Sequence, residues 1–267
     1  MATVRDTSTW ATLGHPGRNA YRVSDTCVDM RRERREIRTV GLGARPQDLI
    51  LDVGRTALVV IDMQNDFCSP EGWIASLGVD VTAARALVDP INHVTAAARS
   101  TGIPVIWVNW GVRPDRLNLS PSTQHPFNPN GRGAGLAGPV AESPRSHRLL
   151  QSGGWGAEII NELVQGPQDI YIEKHRISGF WDTPLDAILR NLDVTTLMFT
   201  GVNADHCVLG TLMDANFHGF DTILIEDCTA TTSPDFCLQA TLHNVRFCFG
   251  FTVTSTSVAD SLRTAAG

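Results

Sequence analysis

Three residues stand where acyl chemistry is possible: Asp62, Lys174 and Cys207, each just after an apolar run. Cys207 opens a segment of helical spacing that closes at Gly219. A thiol in a first helical turn feels the partial positive charge of free N–H groups, which favours thiolate. The same N–H groups can hold the oxyanion of a tetrahedral intermediate. A lysine ammonium nearby stabilises thiolate further, and a carboxylate can take the thiol proton and return it to a leaving group. Singly, each has a plainer reading: Cys207 as a small buried hydrophobe, Lys174 as a strand-end surface lysine, Asp62 as a helix cap. Together at the ends of separate strands they are harder to dismiss.

The elements that must position them alternate regularly. Ala57–Ile61 and Val105–Val108 are β-branched apolar runs, suited to strands buried on both faces. Asp169–Glu173, Thr196–Thr200 and Thr222–Glu226 read as further strands, and Phe247–Val253 as an edge strand. Helical spacing covers Val81–Ser100, Ala157–Val164, Pro184–Asn191, Cys207–His218 and Pro234–Asn244. Strand and helix in alternation predict an α/β fold, a three-layer α-β-α domain with a mostly parallel central sheet. Ligands in such sheets bind outside the carboxyl ends of the strands. The three chemical residues would meet if strands one, three and four lay side by side. Residues 109–153, rich in Pro, Gly, Ser and Asn, are too long for an ordinary connection and read as a binding or lid loop.

Residues 1–55 read as an N-terminal extension and 56–267 as a single domain. The extension is polar and Arg-rich, with one helix expected near Val28–Ile37 and the run Arg31, Arg32, Arg34, Arg35 as its solvated face. A net charge of −6 from 22 basic and 28 acidic residues argues against nucleic-acid binding. No apolar stretch approaches a bilayer span and the first 30 residues show no secretory h-region, so a cytoplasmic protein without membrane contact is expected. Six cysteines with no CxxC pair are too sparse for a disulfide scaffold. All but Cys207 are assigned to packing or surface.

The chain resembles the isochorismatase-like cysteine hydrolase superfamily. The resemblance rests on Val59-Val-Ile-Asp-Met-Gln-Asn-Asp-Phe67, on Glu173-Lys174 with Ser178-Gly-Phe-Trp-Asp-Thr-Pro-Leu185, and on Thr200-Gly-Val-Asn-Ala-Asp-His-Cys-Val208 with Asp214-Ala215. Glu226-Asp227-Cys228 matches the family's strand-end acidic pair, and the likeness spans about residues 50 to 263. It implies a triad of Asp62, Lys174 and Cys207, a cis peptide between Val202 and Asn203, and an oxyanion hole from the N–H groups of Asn203 and Cys207. The nearest group is that of ureidoacrylate and biuret hydrolases, through Ser178–Leu185 and Leu150-Gln-Ser-Gly-Gly-Trp-Gly156. Nicotinamidase-type members hold a metal through an Asp-x-His pair after the second strand. Here that stretch reads Asn109-Trp-Gly-Val-Arg-Pro-Asp115, so no metal and no cofactor are expected. The turn Asn203-Ala-Asp-His-Cys207 differs from that group's usual Ala-Thr-Asn-Val-Cys, which bears on the substrate rather than the chemistry.

The expected activity is cleavage of a C–N amide bond in a small ureido or carbamoyl compound through a thioester. Alternatives are a lactam-opening hydrolase, an isochorismatase-type vinyl-ether hydrolase, and a non-catalytic binding subunit. Gln64, Phe67, Trp73, Asn109, Trp110, Phe180, Trp181 and His206 are the expected substrate-binding residues, the aromatic ones suiting a small planar amide. The family also implies a homodimer or homotetramer.

Overall fold

The computed structural model describes residues 10–32, 35–133, 135–141 and 143–266. Its N-terminal part is built of short strands: β1 (Ala11–Gly14), β2 (Ala20–Val23) and β3 (Val28–Asp29) form a small antiparallel sheet. β4 (Thr39–Leu42) pairs with β6 (Leu49–Asp52), and between them β5 (Ala44–Arg45) joins the edge of the main sheet. The helix expected over 28–37 does not form. Its arginines are tied down one at a time, Arg31 to Asp29, Arg32 to Asn19 and Arg35 to Asp193 and the Gly54 carbonyl. Glu33 and Arg34 lie outside the described residues.

The main sheet holds β7 (Thr56–Ile61), β8 (Val105–Trp110), β9 (Ile170–Lys174), β10 (Thr196–Val202), β11 (Asp221–Ala230) and β12 (Phe251–Val253). Its order is β5-β12-β11-β10-β7-β8-β9, parallel throughout except for β5. The third strand of the sequence pattern, β9, is therefore an outer edge, separated from β7 by β8. Only β7 and β10 are neighbours. Phe251–Val253 is not an edge, because β5 covers it.

Alternation along the strands feeds two cores, as a sheet covered on both faces requires. Leu58 and Val60 of β7 face α3 (Thr82–Arg85), α4 (Val88–Thr101) and α9 (Ser255–Ala266). Ala57, Val59 and Ile61 face α6 (Leu185–Asn191) and α7 (Leu209–Phe217). The remaining helices are α1 (Asn65–Cys68), α2 (Trp73–Ser76), α5 (Pro121–Gln124) and α8 (Asp235–Asn244). The chain is one α/β domain with helices on both sides of a mostly parallel sheet.

Two further segments depart from their apolar spacing. Ala157–Val164 is not a helix, because pairing with the β7–α1 turn wins: Gln64 bridges Ile159, and the Ile160 N–H donates to the Met63 carbonyl at 3.1 Å. Glu226 and Asp227 sit within β11, where its register against β10 shifts. Glu226 pairs with Arg246 at 2.7 Å, and Asp227 accepts from Ser255 N–H at 2.7 Å where α9 begins. This acidic pair is structural.

Candidate active site

The three chemical residues converge although their strands do not. Asp62 follows β7 directly, with a φ of 52° that a short polar side chain tolerates. Cys207 follows β10, in a single wide turn over Ala204–Val208 that leads into α7. What brings β10 so near β7 is Gly201: a Cβ there would lie 2.0 Å from the Ile61 carbonyl oxygen. Lys174 ends the edge strand β9 and reaches across the end of β8, its Nζ stopping 2.9 Å from Asp62 Oδ2. All three side chains are buried. The length of the lysine chain replaces the strand adjacency expected from the pattern.

Electrostatics separate the partners. Burial pushes the Cys207 thiol up to about 12, and the charge of Asp62 adds to this against the pull of Lys174. Burial also raises Asp62, opposed by the charge of Lys174 and by the neighbouring Cys207 thiol. With its thiol pushed this high, Cys207 rests with the proton on sulfur. The thiolate expected from the helix start is not the resting form. Desolvation outweighs the few peptide dipoles of one turn.

Backbone geometry around the sulfur is well defined. The Val202–Asn203 peptide is cis, and the Asn203 carbonyl accepts from the N–H groups of His206 (3.1 Å) and Val208 (3.2 Å). Asn203 Nδ2 donates to Thr232 Oγ1 at 3.2 Å, and Asp205 accepts from Thr231, which straps this turn to the segment after β11. The Cys207 carbonyl accepts from Thr211 Oγ1 at 2.7 Å.

Of the other expected residues, Phe67, Trp73 and Trp110 form one aromatic wall, joined by Phe127. Phe127 packs 5.4 Å from both Trp73 and Trp110, and Phe67 meets Trp73 edge-on at 6.5 Å. Sequence reasoning missed Phe127 because it lies in the irregular 109–153 loop, where no periodicity marks an inward residue. Gln64 is not free to bind substrate: its Nε2 donates to the Trp110 and Ala157 carbonyls, both at 2.7 Å, and its Oε1 accepts from Trp110 N–H at 2.8 Å. Asn109 points to the opposite side of the sheet from Trp110, as strand alternation dictates, into a groove with Glu158, Asn161 and Tyr171.

Phe180 stacks on His218 at 5.1 Å. His218 lies eleven residues beyond Cys207, about 16 Å along a helix at 1.5 Å per residue. Phe180 therefore packs the far end of α7. Trp181 is 58% exposed and donates through Nε1 to Asp214 at 2.7 Å. The His206 ring is largely exposed and pairs with Asp205 at 3.3 Å. A second missed group is Asp66, which accepts from Trp73 N–H (3.0 Å), His147 Nε2 (2.6 Å) and Leu150 N–H (2.8 Å) and so anchors the long loop. Among the described residues no cluster of three metal-ligating side chains occurs, and no helix is long and apolar enough to cross a membrane.

Comparison with known proteins agrees with this fold. The isochorismatase domain model matches residues 56–257. Ureidoacrylate amidohydrolase RutB of Cronobacter sakazakii is 35% identical over 225 residues, which is 84% of this chain and 95% of that protein. Its counterpart from Klebsiella pneumoniae is 36% identical over 228 residues, covering 85% and 95%. Among solved structures, a cysteine hydrolase from Pseudomonas syringae pv. phaseolicola superposes with a TM-score of 0.67 at 26% identity, over 80% of this chain and 95% of that one. N-carbamoylsarcosine amidase from Thermoplasma acidophilum gives 0.56 at 28% identity, over 75% and 96%. By fold, by family match and by its similarity to these proteins, the chain belongs to the isochorismatase family.

Proposed function

We propose that this protein is a cysteine-dependent amidohydrolase that cleaves a C–N bond of a small ureido or carbamoyl compound through a thioester. The observation that carries the reading is the buried contact of Lys174 Nζ with Asp62 Oδ2 at 2.9 Å, at the end of β7 and beside the end of β10 that leads to the buried Cys207. Relatives named ureidoacrylate amidohydrolase and N-carbamoylsarcosine amidase support the substrate class.

The protonated thiol beside a carboxylate sets the order of steps. Asp62 takes the thiol proton as Cys207 Sγ attacks the substrate carbonyl carbon, so the thiolate exists only while it reacts. Lys174 supplies the positive charge that lets a buried anion pass from carboxylate to sulfur. The carbonyl oxygen, now an oxyanion, accepts hydrogen bonds from the N–H groups of Asn203 and Cys207. Asp62 then gives its proton to the leaving nitrogen, the C–N bond breaks, and ammonia or an amine departs. The acyl or carbamoyl group stays on sulfur. Water attacks this thioester with Asp62 as base, the C–S bond breaks, and the acid leaves while sulfur regains its proton. Every step uses groups of the chain and one water.

The cluster of Phe67, Trp73, Trp110 and Phe127 meets this centre through the Trp110 ring, 4.4 Å from Lys174 Nζ, and suits a flat, uncharged acyl group. Ammonia release measured across ureides, carbamoyl amino acids and lactams, with intact-mass detection of an acyl adduct on Cys207, tests the proposal. A ureide or carbamoyl substrate and a trapped adduct are expected. Turnover by Cys207→Ala near the parent rate would overturn the covalent route.

A further inference from the structure

The Lys174 ammonium has three N–H bonds to place and no bulk water to place them in, since its side chain is fully buried. Two acceptors are oxygens: Asp62 Oδ2 at 2.9 Å and the Arg176 carbonyl at 3.1 Å. The third direction meets the Trp110 ring, whose centroid is 4.4 Å from Nζ. A ring face attracts a cation without carrying a formal charge. It therefore completes the ammonium's surroundings while leaving Asp62 and the sulfur as the only places where negative charge is needed. A second carboxylate in the same position would hold the lysine as firmly but cancel the charge available to a thiolate.

Trp110 is itself gripped. Gln64 takes both its backbone groups, Oε1 accepting from the N–H at 2.8 Å and Nε2 donating to the carbonyl at 2.7 Å. Phe127 abuts the ring edge-to-face at 5.4 Å. One rigid ring thus faces the cation that pairs with Asp62.

We infer that Trp110 is a positioning residue of this site, its ring face fixing the Lys174 ammonium against Asp62 and so setting the charge that the sulfur meets. Gln64, through the two backbone groups of Trp110, sets the plane of that ring. The kinetic part of the inference rests on the amidohydrolase reading above; the part concerning the sulfur does not.

The test places tryptophan analogues with one to four ring fluorines at position 110 of the full chain. Fluorine withdraws density from the ring face while keeping its shape, so these variants fold. It also makes the indole N–H a stronger donor, so a slower thiol reports the face and not the N–H. Two rates are read: labelling of Cys207 by iodoacetamide, followed by mass of the Cys207 peptide between pH 7 and 9, and turnover of any ureide the parent cleaves. Labelling and kcat are expected to fall stepwise with fluorine number, to about tenfold at four fluorines, with KM changed less than about twofold. Trp110→Phe, which keeps a weaker face and deletes the N–H, is expected to label more slowly than the parent. A residue serving only as pocket wall would move KM and leave labelling untouched. Labelling that is flat across the fluorine series and unchanged in Trp110→Phe overturns the inference. If the parent cleaves no amide, the functional reading fails while the labelling series still decides the role of Trp110.

Discussion

Asp62 and Asp66 stand four residues apart, both fully buried, and the protein uses them in opposite ways. Asp66 accepts from two backbone N–H groups and a histidine ring, and so ties α1 to the long loop. Asp62 instead faces the buried Lys174 ammonium at 2.9 Å and lies beside the Cys207 thiol, a group that can give up its proton. A carboxylate surrounded by fixed donors has no lone pair to spare for a travelling proton. One left under-supplied keeps its basicity, at a cost that the rest of the fold absorbs. Within a single motif, the number of fixed donors separates a structural carboxylate from the one proposed to move protons.

The sharpest way to break this contrast is at the chemical pair. Cys207→Ala and Asp62→Asn are each expected to lower kcat by about a thousandfold or more, as losses of nucleophile and base do. In Asp62→Asn the negative charge that helps hold Cys207 up is gone while Lys174 remains, so Cys207 should alkylate at lower pH than in the parent although turnover is lost. Retained turnover in that variant would mean that the base lies elsewhere.

Asp66→Asn should show the reverse balance. Loss of a buried, fully hydrogen-bonded charge is expected to cost about 2–4 kcal/mol in urea unfolding. The folded fraction should keep kcat within about tenfold, because Asp66 acts on the loop and not on the reacting atoms. A smaller version of the same test lies at Asp169, which accepts from Arg99, Trp107 Nε1 and Gly166 N–H. Burial pulls its carboxyl upward, but these donors outweigh it and hold it below the usual range. Its folded form favours the ionised state, so its contribution is present above about pH 4 and fades as pH falls through the lowered value. Asp169→Asn is expected to cost about 1.5 kcal/mol at neutral pH, with urea midpoints of variant and parent converging in acid. Smallest of all, His206→Ala should change stability by less than about 0.5 kcal/mol, as exposed positions do. A large drop in kcat there would move His206 into the substrate site.

Much of this was readable in the chain. Continuous apolar runs such as Ala57–Ile61 and Thr196–Thr200 announce buried parallel strands, and the rule that ligands bind at their carboxyl ends leads to Asp62 and Cys207. What could not be read is which strands touch. Strand order carries no local signal, and a flexible four-carbon side chain hides the distance between β9 and β7. Nor could the resting state of the sulfur be read, because helix position is visible in sequence while desolvation is not. The long loop gives the same lesson: Phe127 and His147 act through contacts at separations of tens of residues. Among the aromatics, Phe180 and Trp181 belong to the same motif as the strand-end Lys174, yet they serve α7. A shared motif fixes proximity in the chain, not a shared task.

Lys174 comes from the outermost strand, held on one side only by β8. Sheet margins open more readily than sheet centres. A few residues of fraying at that margin would withdraw the ammonium and leave the central strands intact. Warming would then silence the chemistry before it melts the domain, and the working lifetime of the protein would be set by its weakest seam rather than by its core.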